Sequence, residues 1–254
     1  MSMFDLTGHV AIVTGGNGGV GLAFARGLVK CGAQVAIWGR NETKNKNAVD
    51  ELRALGGDVE AFIADVTLPD QVGAAFEATL SRFGKVDACF ANAGGGGFRG
   101  LSHKTDRQTW LDTVDLNLMS VVQTWAPVTD HMMKRGQGGR LIVTSSIAAL
   151  MGTGGAAGYS TTKAAVLGLV QGLAVELGQA GIRVNAILPG YIETEMSLDT
   201  PQAFQDAARR RAAIGRIGTL EDMEGVAVFL ASKHSDFMTG QGIIMDGGHT
   251  IFPM

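Results

Sequence analysis

Tyr159 and Lys163 stand four residues apart in the segment Tyr159-Ser-Thr-Thr-Lys163. On a helix this spacing places both side chains on one face, one turn apart. An ammonium about 5 Å from a phenol, at an effective dielectric constant of about 20, favours the phenolate by about 3 kcal/mol, or about two pKa units. The pair therefore predicts a phenol that can act as a general acid or base near neutral pH. Taken alone, the same spacing is also common in surface contacts.

Ser146 supplies a hydroxyl thirteen residues before Tyr159. It follows an apolar run that ends at Val143 and Thr144, which predicts a strand. Because α/β sheets bind ligands at the carboxyl ends of their strands, we expect Ser146 to face the same cleft as the phenol. A hydroxyl at that place can hold a carbonyl oxygen of a substrate.

A glycine-rich turn, residues 15–21, follows the first apolar run and precedes an amphipathic segment. Glycine permits positive φ in such a turn and lets the backbone approach a diphosphate, which then meets free N–H groups at the start of a helix. Two registers fit the turn: Gly16, Gly18 and Gly21, or Gly15, Gly19 and Gly21. The setting of strand, turn and helix predicts a dinucleotide site, whereas the turn alone could be only structural.

The second apolar run ends in Trp38-Gly-Arg-Asn41, where a dinucleotide-binding fold presents its ribose-binding residue. A carboxylate there would bind the ribose 2′-hydroxyl, but the position is Gly39, and Arg40 follows it. A guanidinium is a planar, permanently charged donor suited to a 2′-phosphate. The sequence therefore favours NADP(H), with NAD(H) possible if Arg40 lies on the adenine or faces solvent.

The elements that must position these residues alternate along the whole chain. Short apolar runs alternate with longer segments of helical spacing, which predicts strand–helix–strand crossovers and a parallel sheet. The fold class is α/β, a Rossmann-like doubly wound parallel sheet of about seven strands with helices on both faces, in a single domain over residues 1–254. The alternative is a closed barrel, which the glycine turn disfavours. The predicted strands are 10–13, 34–38, 59–64, 86–91, 141–144, 183–188 and 242–245.

Composition and charge exclude several other classes of protein. Hydrophobic residues make up 46% of the chain and charged residues 18%, enough apolar side chain for a sizeable core. A formal charge of −3 gives no electrostatic reason to expect nucleic acid or an acidic membrane surface. Cys31 and Cys89 are too few for a disulfide framework and lack metal-ligand spacing, so no metal is predicted. With no secretory signal visible, we expect a soluble cytoplasmic protein.

Together these motifs resemble the short-chain dehydrogenase/reductase family, in its branch of single-domain chains of about 250 residues. The resemblance covers nearly the whole chain and selects the register Gly15, Gly19 and Gly21. Its further marks, in chain order, are Thr14, Asp65, Val66, Asn92, Ala93, Gly94, Asn117, Ser146, Tyr159, Lys163, Pro189, Gly190, Ile192 and Thr194. Two positions depart from the usual pattern: Ala91 replaces an asparagine, and Gly18 stands where many NADP-dependent relatives carry Arg or Lys.

The resemblance implies hydride transfer between the nicotinamide and a carbonyl or carbinol carbon. Tyr159 would exchange the proton, and Ser146 would hydrogen-bond the reacting oxygen. Lys163 would hold the nicotinamide ribose and depress the pKa of the tyrosine. Asn117, unfavourable inside a helix on propensity grounds, would anchor the water of a proton relay.

The same resemblance implies a cofactor-binding set. Asp65 and Val66 would contact the adenine, residues 92–94 would line the cofactor bed, and Ile192 and Thr194 would orient the carboxamide. The whole set is Gly15, Asn17, Gly19, Val20, Gly21, Arg40, Asn41, Asp65, Val66, Asn92, Ala93, Gly94, Tyr159, Lys163, Pro189, Gly190, Ile192 and Thr194.

The predicted protein is an NADP(H)-preferring reductase or dehydrogenase that interconverts a ketone and a secondary alcohol. Alternatives are a 3-oxoacyl thioester reductase, an NAD-linked sugar or polyol dehydrogenase, and a non-catalytic NADP(H)-binding regulator. The substrate loops, residues 95–101, 148–155 and 191–215, carry small and apolar residues, Met196 among them, which suggests an uncharged ketone. By family habit we expect a homotetramer through helices near 106–133 and 159–178, the strand 242–245 and the apolar tail 246–254.

Overall fold

Seven parallel strands form one sheet in the order β3-β2-β1-β4-β5-β6-β7 in a computed structural model that describes residues 3–251, apart from the side chain of Met196. The strands are β1 Val10–Thr14, β2 Gln34–Gly39, β3 Val59–Ile63, β4 Ala88–Ala91, β5 Gly139–Thr144, β6 Ile182–Pro189 and β7 Gly242–Met245. Each of the seven predicted runs is a strand, and β1 is buried along its whole length. The predicted Rossmann-like sheet is thus confirmed.

Helices cover both faces of the sheet, as strand–helix–strand crossovers require. They are α1 Gly19–Lys30, α2 Glu42–Ala54, α3 Pro69–Phe83, α4 Arg107–Val114, α5 Ser120–Arg135, α6 Ala157–Leu177, α7 Glu195–Leu198, α8 Gln202–Arg211 and α9 Glu224–Ala231. One apolar cluster packs α1, α2 and α9 against the sheet, and a second packs α3, α5 and α6 against the opposite face. No helix within residues 3–251 is long and apolar enough to cross a membrane.

The strand order reverses between β1 and β4, which are neighbours in the sheet although two strands separate them in the chain. Crossovers diverge to opposite faces at such a point and leave a crevice at the carboxyl ends of the strands, where ligands bind. The glycine turn follows β1, residues 92–94 follow β4 and Ser146 follows β5, so all three lie at this edge.

The prediction of one continuous helix near residues 106–133 is wrong in detail. A π-helical turn, Asp115–Met119, separates α4 from α5 and contains Asn117 at its centre. The Asn117 side chain bonds to the backbone of Gly95 in the loop after β4. An inserted residue of this kind is frequent at functional sites, because it turns one side chain away from the regular helical register.

Candidate active site

The N-terminal part of α6 carries both residues of the predicted acid–base pair. Lys163 is 5% exposed, and its Nζ lies over the ring of Tyr159, 5.7 Å from the ring centroid. The ammonium donates a hydrogen bond to the carbonyl oxygen of Thr144 at the end of β5, at 2.8 Å. The helix therefore brings the phenol and the ammonium together, while the strand end holds the ammonium in place.

Burial reverses the direction that a simple Coulomb argument predicted for the phenol. Desolvation raises the pKa of Tyr159, while the Ser146 side chain and the charge of Arg99 act in the opposite direction. Desolvation also lowers the pKa of Lys163 to about 8. The predicted net depression of the tyrosine pKa is wrong for the protein by itself, because loss of hydration penalises phenolate and ammonium alike.

Ser146 lies between the end of β5 and the start of a short 3-10 turn, Ile147–Ala149. Its hydroxyl accepts a hydrogen bond from the backbone N–H of Ala148 at 3.1 Å, which fixes the side chain as the cap of that turn. Its neighbour Ser145 donates to the carbonyl oxygen of Lys163 at 2.7 Å and so ties the strand end to α6. Ser146 thus reaches the Tyr159 phenol from a fixed position.

Gly94 is the point at which Asn117 and Lys163 approach each other. A Cβ at Gly94 would lie 2.9 Å from Oδ1 of Asn117 and 3.5 Å from Nζ of Lys163. The buried Asn117 amide accepts from the N–H of Gly95 at 2.9 Å and donates to its carbonyl oxygen at 3.0 Å. The structure therefore groups all four predicted catalytic residues around the loop after β4.

Asn92 ties together three strand ends. Its Nδ2 donates to the carbonyl oxygen of Thr14 at 3.1 Å, and its Oδ1 accepts from the hydroxyl of Thr144 at 2.9 Å. The Thr14 hydroxyl in turn accepts from the backbone N–H groups of Asn92 and Ala93. The Asn92 side chain thus helps to hold β1, β4 and β5 in register at the edge where the cofactor bed is predicted.

The glycine turn requires glycine at the positions of the selected register. Gly15 and Gly19 have φ of +63° and +50°, the left-handed region that side chains disfavour. A Cβ at Gly21 would lie 2.3 Å from the carbonyl oxygen of Gly15, closer than any real contact. The first turn of α1 has neither a side-chain cap nor an acidic residue, so its free N–H groups suit an anionic ligand.

A cavity of about 470 Å³ opens beside this turn. It is lined by the turn on one side, by α2 on another and by the segment after β6 on the third, with residues Asn17, Gly18, Gly19, Leu22, Lys44, Asn47, Ala48, Glu51, Glu193, Thr194, Glu195, Leu198 and Leu220. Lys44 of α2 and Glu195 of α7 form an ion pair at 2.5 Å that joins two of these walls. The cavity and the uncapped helix end fit the diphosphate of a dinucleotide.

The end of β2 presents the predicted ribose-binding residues. Arg40 is exposed and pairs with Asp65 at 3.3 Å, so the predicted 2′-phosphate residue and the predicted adenine residue lie side by side. Asn17 donates to Asn45, and Asn45 donates to the carbonyl oxygen of Gly39. Asn41 caps α2 through the N–H of Lys44.

The remaining predicted cofactor residues lie at the same edge or support it. Val66 is buried behind Asp65, and Val20 and Ala93 pack partly against the two apolar clusters. Gly190 donates to the carbonyl oxygen of Met245, which joins the end of β6 to β7 after Pro189.

The last two predicted cofactor-binding residues, Ile192 and Thr194, lie in the segment after β6. Ile192 is buried and pairs with Gly218. Thr194 caps α7, and its methyl group faces Gly19, with 3.4 Å between Cγ2 and a Cβ built there.

Three residues that the sequence analysis did not single out contribute to this site. Thr144 holds Lys163 and Asn92, Lys44 reaches across the cavity, and Arg99 acts on Tyr159. Only Thr144 carried a signal, as a polar residue at the end of an apolar strand. Among residues 3–251, no cluster of histidine, cysteine or acidic side chains could hold a metal ion.

Comparison with known proteins places this fold and site in a wider group. The family model described as Enoyl-(Acyl carrier protein) reductase matches residues 15–250. The 3-oxoacyl-(acyl carrier protein) reductase of Chlamydia pneumoniae is 35% identical over 96% of this chain and 98% of its own length. Gluconate 5-dehydrogenase of Gluconobacter oxydans is 35% identical over 98% of this chain and 97% of its own.

Solved structures of oxidoreductases are also similar to this chain over nearly its whole length. The NADPH-dependent 3-quinuclidinone reductase of Rhodotorula rubra has a TM-score of 0.90 at 30% identity, covering 97% of this chain and 93% of that one. A 7α-hydroxysteroid dehydrogenase in complex with NADH has a TM-score of 0.92 at 31% identity, covering 96% and 95%. Fold and relatives together define an NAD(P)-dependent oxidoreductase that acts on alcohol and ketone groups. The chain belongs to the short-chain dehydrogenase/reductase family, as its motifs predicted.

Proposed function

We propose that this protein is an NADP(H)-preferring reductase of a ketone, with Tyr159 as the general acid and base. The observation that carries the proposal is the convergence of Ser146, Tyr159 and Lys163 at the end of β5, beside Gly94. Asn117 completes the group by holding the loop after β4. The direct test follows the loss of the reduced nicotinamide signal with a panel of ketones, sugars and acyl thioesters. No turnover of any carbonyl or alcohol in the panel would contradict the proposal.

A bound nicotinamide supplies a hydride to the carbonyl carbon, or accepts one from a carbinol carbon. Tyr159 gives its phenolic proton to the oxygen that becomes the alcohol, and Ser146 hydrogen-bonds that oxygen. Burial raises the pKa of Tyr159, so the phenol holds its proton at neutral pH. A protonated acid suits reduction, and Lys163, with a pKa of about 8, is mostly an ammonium there and stabilises the phenolate left behind.

The preference for NADP(H) rests on Arg40 at the end of β2. Its guanidinium is exposed at the edge of the predicted adenosine site, and Gly39 offers no carboxylate to a ribose hydroxyl. A Cβ at Gly39 would lie 2.4 Å from Nδ2 of Asn17 and 2.5 Å from Oδ1 of Asn45, so a larger residue there needs both amides to move. Titration of NADPH and NADH by fluorescence tests the preference, and tighter NADH binding would overturn it.

A 3-oxoacyl thioester reductase is the second candidate function. The similarity to the Chlamydia pneumoniae enzyme over nearly the whole chain favours it, and the similarity to gluconate 5-dehydrogenase favours a polyol or sugar acid equally. The substrate panel separates the two. A non-catalytic regulator remains the third candidate, and the assembled Ser146, Tyr159 and Lys163 argue against it.

We further propose a cytoplasmic homotetramer. Exposed apolar side chains lie on the helices and the strand that the family uses for assembly: Leu111, Met119, Val122, Met133, Val175 and Ile244. Such side chains lose unfavourable contact with water in a subunit interface. Of the apolar tail, Phe252, Pro253 and Met254 lie outside the described residues. Light scattering on a size-exclusion column tests the assembly, and a monomer would refute it.

A further inference from the structure

The loop after β4 carries an arginine, Arg99, between two anchors to the segment that precedes Tyr159. On one side, the ring of Phe98 packs on Gly158, where a Cβ would lie 2.4 Å from Cε1 of Phe98. On the other side, the N–H of Gly100 donates to the carbonyl oxygen of Gly155 at 2.9 Å. Arg99 therefore has a backbone position that is fixed relative to the start of α6.

Two further contacts, both to residues of α4, hold the same loop in place. Phe98 packs edge-on against Trp110, with 5.0 Å between ring centroids. Gly97 lies against Thr113, since a Cβ there would be 2.7 Å from the threonine Cγ2. The loop is thus built on α4 and α6, and it presents Arg99 beside the catalytic group.

The guanidinium of Arg99 lies beside Gly96 in its own loop. Its Nη2 lies 3.7 Å from a Cβ built on Gly96, two residues from the glycine that borders Lys163 and Asn117. Burial raises the pKa of the Tyr159 phenol, and the Arg99 charge acts on the phenol in the opposite direction. Arg99 is exposed, and within residues 3–251 no carboxylate lies within ion-pair distance of it.

Among residues 3–251, the ion pairs of the segment after β6 involve other basic residues: Glu195 pairs with Lys44, and Asp222 pairs with Arg216. Arg99 is therefore an exposed positive charge without an ion pair among the described residues, in addition to the buried ammonium of Lys163. An exposed guanidinium keeps its hydration at little cost, and it gains most from a carboxylate that it can bind with two parallel hydrogen bonds as the ligand displaces water.

We infer that Arg99 is a specificity-determining residue that binds a carboxylate of the substrate, so that the preferred substrate is a keto acid or hydroxy acid. The inference rests on the proposed function, because Tyr159 and Ser146 must hold the reacting oxygen at one end while Arg99 holds the carboxylate at the other. It replaces the expectation of an uncharged ketone, which came from the small and apolar residues of the loops and did not take Arg99 into account.

The test compares acids with their neutral partners. Levulinate and its two longer homologues, each with its primary amide, place a carboxylate at three distances from a ketone, and gluconate with gluconamide serves for a polyol. For at least one pair we expect kcat/KM to be at least about tenfold higher for the acid, because a charge-assisted hydrogen bond is the stronger kind. In Arg99→Met this preference disappears, because kcat/KM for the acid falls to that for its amide.

Arg107→Met is the matched control, because Arg107 is an exposed arginine at the start of α4 and has no ion pair among the described residues. It should leave the preference unchanged. Equal rates for acid and amide in the unmodified protein, or an unchanged preference in Arg99→Met, would overturn the inference and leave the proposed function standing. Weaker NADPH binding in Arg99→Met would also overturn it, since Arg99 would then be a cofactor contact.

A binding measurement keeps the inference testable without turnover. A keto acid and NADP+ cannot react with each other, so their complex with the protein reports binding alone. We expect levulinate or a longer homologue to raise the melting temperature in the presence of NADP+ more than its amide does, with the difference lost in Arg99→Met. If no carbonyl or alcohol of the wider panel is turned over, the proposed function fails, and this shift still decides whether Arg99 binds a carboxylate.

Discussion

The ammonium of Lys163 lies over the ring of Tyr159, 5.7 Å from its centroid, while its hydrogen bond goes to the carbonyl oxygen of Thr144 at 2.8 Å. The end of β5 thus holds the charge in place independently of the phenol. Burial lowers the pKa of Lys163 to about 8 and raises that of Tyr159. A ligand that excludes water and brings its own polar groups will change both pKa values. Proton transfer at Tyr159 therefore depends on whether the site is occupied.

Removal of the Tyr159 hydroxyl tests the acid–base assignment. We expect Tyr159→Phe to lower kcat by about 10²- to 10⁴-fold, the usual contribution of a positioned proton donor. Steady-state kinetics with NADPH and any active ketone measures this. Tyr191→Phe is the matched control, because Tyr191 is the other tyrosine and bonds to Ser197 and Thr200 instead. A Tyr159→Phe enzyme of full activity would mean that another group supplies the proton.

The buried ammonium predicts a characteristic dependence of stability on pH. The folded protein binds the Lys163 proton less tightly than the unfolded chain does, so this residue lowers stability below pH 8 and does so less as the pH rises toward 10.5. Between pH 7 and 9.5, the stability of the unmodified protein should rise relative to Lys163→Met by about 2 kcal/mol.

Urea unfolding of the two proteins across that pH range measures the difference. The slope of this stability difference against pH does not depend on the constant free-energy cost of leaving the Thr144 carbonyl without its donor in Lys163→Met. A difference that stays flat with pH would show that Lys163 keeps an ordinary pKa in the folded protein.

The glycine turn offers a matched pair of substitutions. Gly21→Ala places a methyl group 2.3 Å from the carbonyl oxygen of Gly15, and we expect a loss of stability of about 3 kcal/mol together with weaker NADPH binding. Gly18→Ala meets nothing within 4 Å on extended backbone, so it should cost less than about 1 kcal/mol. Thermal unfolding and NADPH fluorescence compare the two, and equal effects would contradict the proposed packing.

Arg40→Gln tests the 2′-phosphate assignment. The loss of one charged donor should raise the Kd of NADPH by about tenfold or more and leave that of NADH within about twofold. Arg53→Gln, on the neighbouring α2, is the control for loss of a positive charge. If both cofactors weaken equally in Arg40→Gln, the guanidinium acts on the adenine or on Asp65 and not on the phosphate.

The ion pair of Lys44 with Glu195 joins two walls of the cavity beside the glycine turn. Because both side chains are largely exposed, Glu195→Gln should change the free energy of unfolding by less than about 1 kcal/mol. We expect the release of NADPH, followed by stopped-flow fluorescence, to become about twofold faster as α7 is freed from α2.

High salt should abolish the difference, since it screens an exposed pair. Glu193→Gln controls for charge near the cavity. Identical release rates at low salt would show that the pair does not restrain the cofactor.

Periodicity and glycine placement determined the fold from the sequence. Seven apolar runs without alternation predict a parallel sheet covered on both faces, and each run is a strand of that sheet, although the edge strands β3 and β7 are only partly buried. The glycine turn and the spacing of Tyr159 and Lys163 are local patterns, so they can be recognised in the sequence before the fold is known. The π turn at Asn117 was not predicted, and the side chain that it presents bonds to Gly95, twenty-two residues away in the chain.

Tertiary structure alone decided the electrostatics. Residue spacing places a phenol near an ammonium, but the sign of each pKa shift depends on how much water the surrounding elements exclude. Arg99 likewise looked like one basic residue in a glycine-rich loop, and only the packing of Phe98 on Gly158 brings it to the reacting group. Charges act through distance and solvent, and both are set by parts of the chain that are far apart in sequence.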